Sequence, residues 1–192
     1  MTVKTALYAA AAFVASFPGL GQTPRTPTPQ APLAIPNAHY VSIVMEVDVA
    51  RPAADVWQRV GKYCDIGEWM RLSCTILSGK DGEIGTVRSI GNEVLVGKTE
   101  LSYTYTQPVR EGRSYNLYHG TLEARPVTAN SSKLVYTLMW DNSMLADDAA
   151  RETDLANRRR VFTNALDNMK ILAEGGTLPP APARGQGRGP GK

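Results

Sequence analysis

Two hydrophobic periods stand at opposite ends of the central part of this chain, and together they limit its fold more than any other feature. Val41, Ile43, Met45, Val47 and Val49 recur at every second position, with Ser42, Glu46 and Asp48 between them, which is the pattern of a β-strand with one buried face. Leu155, Phe162, Ala165, Leu166, Met169 and Leu172 recur instead at helical spacing. They predict one apolar stripe on a helix from about Asp148 to Ala173, stopped by Gly175-Gly176. The opposite stripe carries Arg158, Asn164, Asp167 and Lys170. Strands first and a single long helix last can bury both apolar faces only by packing on one another.

The residues between follow the same plan. Arg51-Pro52-Ala53-Ala54-Asp55 starts a short helix that continues through Val56, Trp57, Val60 and Cys64 at helical spacing, because proline suits the first turn. Gly67-Glu68-Trp69-Met70 reads as an irregular passage. Residues 74–77 and 86–90 read as a hairpin about the turn signal Gly79-Lys80-Asp81-Gly82. Stretches 94–106, 115–124 and 133–140 are rich in Tyr, Thr, Val and Leu and predict further antiparallel strands, with Gly97-Lys98 the expected break in the longest. The fold class is therefore α+β: a curved antiparallel sheet of six or seven strands wrapped on a long C-terminal helix, with a short helix after the first strand.

The outer segments differ in kind. Lys4 precedes an apolar run from Ala6 to Val14 that is too short to span a bilayer, followed by Ala15-Ser16 and Pro18-Gly19; this is the pattern of a cleavable signal peptide over residues 1–21, with cleavage after Ser16 or Gly21, and a buried N-terminal helix or an uncleaved anchor is the alternative. No cysteine follows the run, so a lipid anchor is not expected. Residues 22–38 form a proline-rich linker, the folded domain is expected over 39–174, and residues 175–192, rich in Gly and Pro, read as a disordered tail. Export places the domain in the periplasm or outside the cell, with no stable membrane insertion after cleavage. There an even cysteine count permits a bridge between Cys64 and Cys74; two buried thiols that never meet are the alternative. With only His39 and His119 besides them, the cysteines do not supply a zinc spacing, and no metal or cofactor is expected. A net charge of +3 with 20% charged residues gives no reason to expect nucleic acid as a partner.

Specific residues add a resemblance. Val47-Asp48-Val49-Ala50-Arg51-Pro52-Ala53-Ala54-Asp55-Val56-Trp57 resembles the strand-to-helix passage of the SRPBCC superfamily, in which Pro is followed by three residues and Val-Trp. Ile66-Gly67-Glu68-Trp69 with Leu72-Ser73-Cys74 is similar to its passage into the second strand, and Gly85-Thr86-Val87-Arg88 to its Gly-x-x-Arg third strand. The resemblance spans roughly residues 40–174 and looks nearest to bacterial polyketide cyclase/dehydrase-like proteins. It implies the helix-grip fold of START and birch-pollen-allergen-like domains, with an apolar cavity between sheet and C-terminal helix. Tyr118-His119-Gly120 matches no general signature of that superfamily.

Several residues could give such a cavity chemistry. His119 shares a face with Leu117 and Thr121; if that face is concave, its imidazole is a catalytic candidate as general base, and otherwise it is a satisfied or solvent-facing histidine. Tyr103, Tyr105, Tyr118 and Tyr136 suit either a ligand pocket with polar handles or cross-strand packing. Trp69 either gates the entrance or belongs to the core. Arg88 and Glu100 become ligand-binding candidates if they point inward, since a buried ion needs a partner. No phosphate-cradling loop, nucleophile elbow or metal cluster is present in the sequence. The expected function is an exported binding protein or carrier for a small hydrophobic molecule, lipid or polyketide-like. The alternative is a cyclase/dehydratase-type enzyme using His119 and the cavity tyrosines as acid/base groups. The oligomeric state and the ligand's identity are left open by the sequence.

Overall fold

The alternation that opens the chain becomes β1 (Tyr40–Val49), whose Ile43, Met45 and Val49 are buried while Val44 and Glu46 face out. A computed structural model describes residues 37–109 and 112–180. The signal peptide, nearly all of the linker and the tail beyond residue 180 lie outside the described residues. After β1 come α1 (Ala53–Val60), α2 (Ile66–Trp69), β2 (Ile76–Ser78), β3 (Val87–Arg88), β4 (Glu93–Thr99), β5 (Ser102–Thr106), β6 (Asn116–Thr128), β7 (Ser131–Asp141) and α3 (Asp148–Ala173). The seven strands form one antiparallel sheet in the order β1-β7-β6-β5-β4-β3-β2.

The closing helix is well delimited by local chemistry. The Asp147 side chain accepts a hydrogen bond from the Ala150 amide at 2.8 Å, satisfying one of the unpaired donors of the first turn. At the other end Gly175 adopts φ +85°, and the Gly176 amide donates to the Ile171 carbonyl, an arrangement that glycine favours because it has no Cβ. Phe162, Ala165, Leu166, Met169 and Leu172 are buried against the sheet. The helix also covers the free edge of β1: Lys170 donates to the Asp48 carbonyl, Arg159 to the Val44 carbonyl, and the Ala50 amide donates to Glu174. An edge strand so occupied offers fewer groups for pairing with another chain.

Four details differ from the sequence reading. The passage at residues 66–69 is one turn of helix, closed by the Met70 amide on the Ile66 carbonyl. There Gly67 permits a close approach, since a Cβ would stand 2.9 Å from the Leu72 carbonyl oxygen. The break in the longest strand falls at Glu100-Leu101, where the Thr99 and Ser102 hydroxyls bond at 2.7 Å; Gly97 instead marks a register shift within β4. Arg158, expected on the wet stripe of the helix, is mostly covered: it pairs with Asp154 and its guanidinium stacks on Trp140 at 4.6 Å and Tyr115 at 4.8 Å. Finally, Cys64 lies beyond the end of α1, where it is bridged to Cys74.

Candidate functional site

Three elements enclose an open space at one end of the sheet: the C-terminal end of α1, the β2–β3 loop and the β4–β5 hairpin. The pocket measures about 600 Å³, within the ordinary range for small-molecule sites. Its covered walls are Trp57, Tyr63, Leu95 and Tyr103, and its exposed rim carries Lys62, Asp81, Lys98 and Glu100. Trp57 and Tyr103 lie 5.6 Å apart between ring centres, and Tyr63 meets Tyr103 edge-on at 5.5 Å. Lys98 donates to the Gly82 carbonyl at 2.6 Å, tying the hairpin to the loop across the mouth. Gly61 gives the Trp57 ring room to lie against the backbone, because a Cβ there would be 2.4 Å from Trp57 Cδ2.

Beneath the pocket lies a buried charge. Arg88 and Glu93 face each other across the short β3–β4 hairpin, with Arg88 Nε 2.6 Å from Glu93 Oε2, and neither is more than 3% exposed. A buried ion pair needs its remaining polar atoms satisfied as well. Arg88 also donates to the Tyr63 carbonyl at 2.5 Å, the Gln107 amide donates to Glu93 at 2.7 Å, and the Tyr115 hydroxyl donates to Gln107. The guanidinium sits 4.3 Å from the Tyr63 ring centre and 4.7 Å from that of Tyr105. Burial opposes its charge, and Tyr103, Glu93, Tyr136 and Tyr105 together overcome that effect and hold Arg88 protonated. Burial pushes the Glu93 carboxyl up, against the pull of Arg88 and Gln107. It likewise raises the phenols of Tyr63, Tyr103, Tyr105, Tyr118 and Tyr136, so these hydroxyls stay protonated and can donate hydrogen bonds.

The structure distributes the candidate residues unevenly. Tyr103, Tyr105, Tyr118 and Tyr136 all point inward, and the Tyr105 and Tyr136 hydroxyls are 3.0 Å apart. Arg88 is inward and Glu100 is on the exposed rim. Trp69 is fully buried, edge-on to Tyr136 at 6.3 Å; it is a core residue and not a gate. Of the two readings left open for His119, the strand's alternation favours the outward-facing one. Tyr118, Gly120, Leu122 and Ala124 form the buried face of β6, and His119 and Thr121 occupy the other.

The position of the open space also differs from expectation. Between sheet and α3 the volume is filled by rings and aliphatic side chains: Tyr136 packs on Phe162 at 4.7 Å, with Trp69, Leu166 and Met169 buried around them. The pocket is displaced to the α1 side. Sequence reasoning missed Tyr63, Glu93 and Gln107. For Glu93 a signal existed, since Arg88 and Glu93 flank the turn residues Gly91-Asn92 as opposite charges at facing positions.

No protein-family model matches the chain. No curated protein matches it either. Among solved structures it is similar to a Thermobifida fusca protein determined by NMR, with 27% identity over 71% of this chain and 97% of that one and a TM-score of 0.56. It is similar also to the Zhui aromatase/cyclase of Streptomyces sp. R1128, at 21% identity over 72% of this chain and all of that one, with a TM-score of 0.54. The truncated norcoclaurine synthase of Thalictrum flavum matches at 13% identity over 73% of this chain and 97% of that one, with a TM-score of 0.55. At the identities of the last two, the likeness is one of fold.

Proposed function

Because this chain carries the helix-grip fold of the SRPBCC superfamily, we propose that it is an exported binding protein that holds a small hydrophobic molecule in the pocket walled by Trp57, Tyr63, Leu95 and Tyr103. The observation that carries this reading is the pocket itself: about 600 Å³, with aromatic and aliphatic walls and a mixed-charge rim. Such walls favour an apolar body, and a rim with two cations and two carboxylates confers no strong preference for a charged one. Export is supported by the signal pattern of residues 1–21 and by the Cys64–Cys74 bridge, which suits an oxidising compartment. Among the described residues no helix is long and apolar enough to cross a membrane.

A catalytic reading draws on the likeness to the Zhui aromatase/cyclase and norcoclaurine synthase. Here it would draw on the inward tyrosines and Arg88, with Lys62, Asp81, Lys98 and Glu100 of the rim as further acid/base groups. Phenols held protonated by burial can donate a hydrogen bond or a proton but do not abstract one at neutral pH, so the inward tyrosines would serve that reading as acids and not as bases. The test is native mass spectrometry of the processed protein recovered from its export compartment, paired with titration of a naphthalene probe followed by tryptophan fluorescence. A bound small molecule, or saturable 1:1 quenching lost in Trp57→Ala, is expected. A protein that carries nothing and leaves the probe free would overturn the proposal.

A further inference from the structure

The Cys64–Cys74 bridge joins two walls of the pocket. Cys64 directly follows Lys62 and Tyr63, and Cys74 leads through β2 into the loop that carries Asp81 and Gly82. Its two ends are held differently. On the Cys64 side Val60, Tyr63, Ile66 and Trp69 are buried. There the Tyr63 carbonyl accepts from Arg88, and the Trp69 carbonyl accepts from the Asn168 amide at 2.8 Å. On the Cys74 side no residue from 71 to 80 is buried. β2 is the last strand of the sheet, three residues long and paired with a strand of two, with a register shift between its two pairs. Ile76 packs on the core, and Thr75 is held by Ser89, whose hydroxyl accepts from the Thr75 amide while its own amide donates to the Thr75 carbonyl. A segment with so little burial of its own opens locally at low cost. The covalent bridge fastens it to a buried element.

Taking the pocket as the binding site proposed above, we infer that the bridge is a redox switch on it: the disulfide form keeps the Asp81-Gly82 wall in place and binds ligand tightly, and reduction frees that wall and weakens binding. The reductant is a dithiol. One of its thiolates attacks a bridge sulfur and expels the other cysteine as a thiolate; its second thiol then displaces the attacked cysteine from the mixed disulfide. Two electrons pass to the bridge, the dithiol's two protons end on Cys64 and Cys74, and the dithiol becomes a disulfide. In an oxidising compartment the binding form is the resting one. Coupling of this kind is reciprocal, so bound ligand protects the bridge from reduction by the same factor that reduction weakens binding.

The test titrates the processed protein with the naphthalene probe before and after reduction by dithiothreitol, and measures its thiol–disulfide equilibrium with dithiothreitol in the presence and absence of saturating probe. Reduction is expected to weaken binding about tenfold, and the probe to shift the equilibrium about tenfold toward the disulfide. Cys64→Ser/Cys74→Ser, without reductant, should bind as weakly as the reduced protein. Hydrogen exchange followed by mass spectrometry should show residues 75–85 exchanging faster on reduction while β6 and β7 keep their protection. Equal affinity in the two forms, or exchange of residues 75–85 that reduction leaves unchanged, would overturn the inference and leave the carrier reading standing. So would a loss of protection in β6 and β7, which would make the bridge a staple of the whole fold. Failure of the oxidised protein to bind the probe would overturn the carrier reading, and this inference with it.

Discussion

The Tyr105 ring lies against the backbone of Gly120, its partner across the β5–β6 ladder, so closely that a Cβ at position 120 would stand 2.4 Å from the Tyr105 hydroxyl oxygen. That contact lets the ring lie down beside Arg88 and reach Tyr136 with its hydroxyl. Gly120→Ala forces Tyr105 out of place in a packed interior and is expected to destabilise the domain by about 2 kcal/mol. Urea denaturation measures the loss. A Gly120→Ala variant as stable as the wild type would show that the ring has slack the structure denies it.

The Arg88–Glu93 pair makes a second prediction with a sign that depends on how it is broken. Glu93→Gln leaves a guanidinium buried without its counter-charge, and the expected cost is on the order of 3 kcal/mol. Replacing both residues with apolar ones of similar size, Arg88→Met with Glu93→Leu, removes the uncompensated charge and should recover most of that loss. Denaturation of the two variants side by side checks the order. If the double variant is the less stable, the pair contributes net stability, which buried pairs rarely do.

Periodicity made the fold legible. The alternation of residues 41–49 and the helical stripe ending at Leu172 both emerge where the residue pattern places them, because each pattern has one way to bury its apolar face. The site was less legible, for a geometric reason. His119 and Tyr118 are neighbours in sequence, and only the direction of the sheet's curvature decides which of them faces in. Nothing local to residues 115–122 specifies that direction. Arg88 was identifiable as an ion needing a partner, whereas Tyr63, which follows α1, becomes a pocket wall only through contacts 25 and 40 positions away, with Arg88 and Tyr103. The two cysteines left pairing open until their Cα atoms were placed 5.5 Å apart.

That bridge closes a short loop containing α2 and leaves from the pocket's wall at Tyr63. Its removal in Cys64→Ser/Cys74→Ser relaxes a constraint on the unfolded chain and is expected to cost about 3 kcal/mol on the chain-entropy relation for a loop of this length. Thiol titration of the unreduced, exported protein should find no free thiol. Two reactive thiols, or an unchanged denaturation midpoint in the double variant, would contradict the assignment.

His119 supplies a pH dependence whose direction follows from its burial. Partial covering on the outer face of β6 disfavours the imidazolium and lowers its pKa from the usual 6.5. The folded chain then binds this proton less readily than the unfolded chain. The contribution to stability is therefore complete above about pH 6.5 and is lost as pH falls through the unfolded value toward the lowered one. Urea midpoints measured between pH 7.5 and 5 should decline, and His119→Asn should flatten part of that decline. An NMR titration of the His119 ring with a midpoint at or above 6.5 would contradict the sign. The same variant separates the outer face from the pocket: with His119 turned away from Tyr103 and Tyr63, His119→Asn should bind the naphthalene probe with wild-type affinity, and a tenfold loss would return the imidazole to the site.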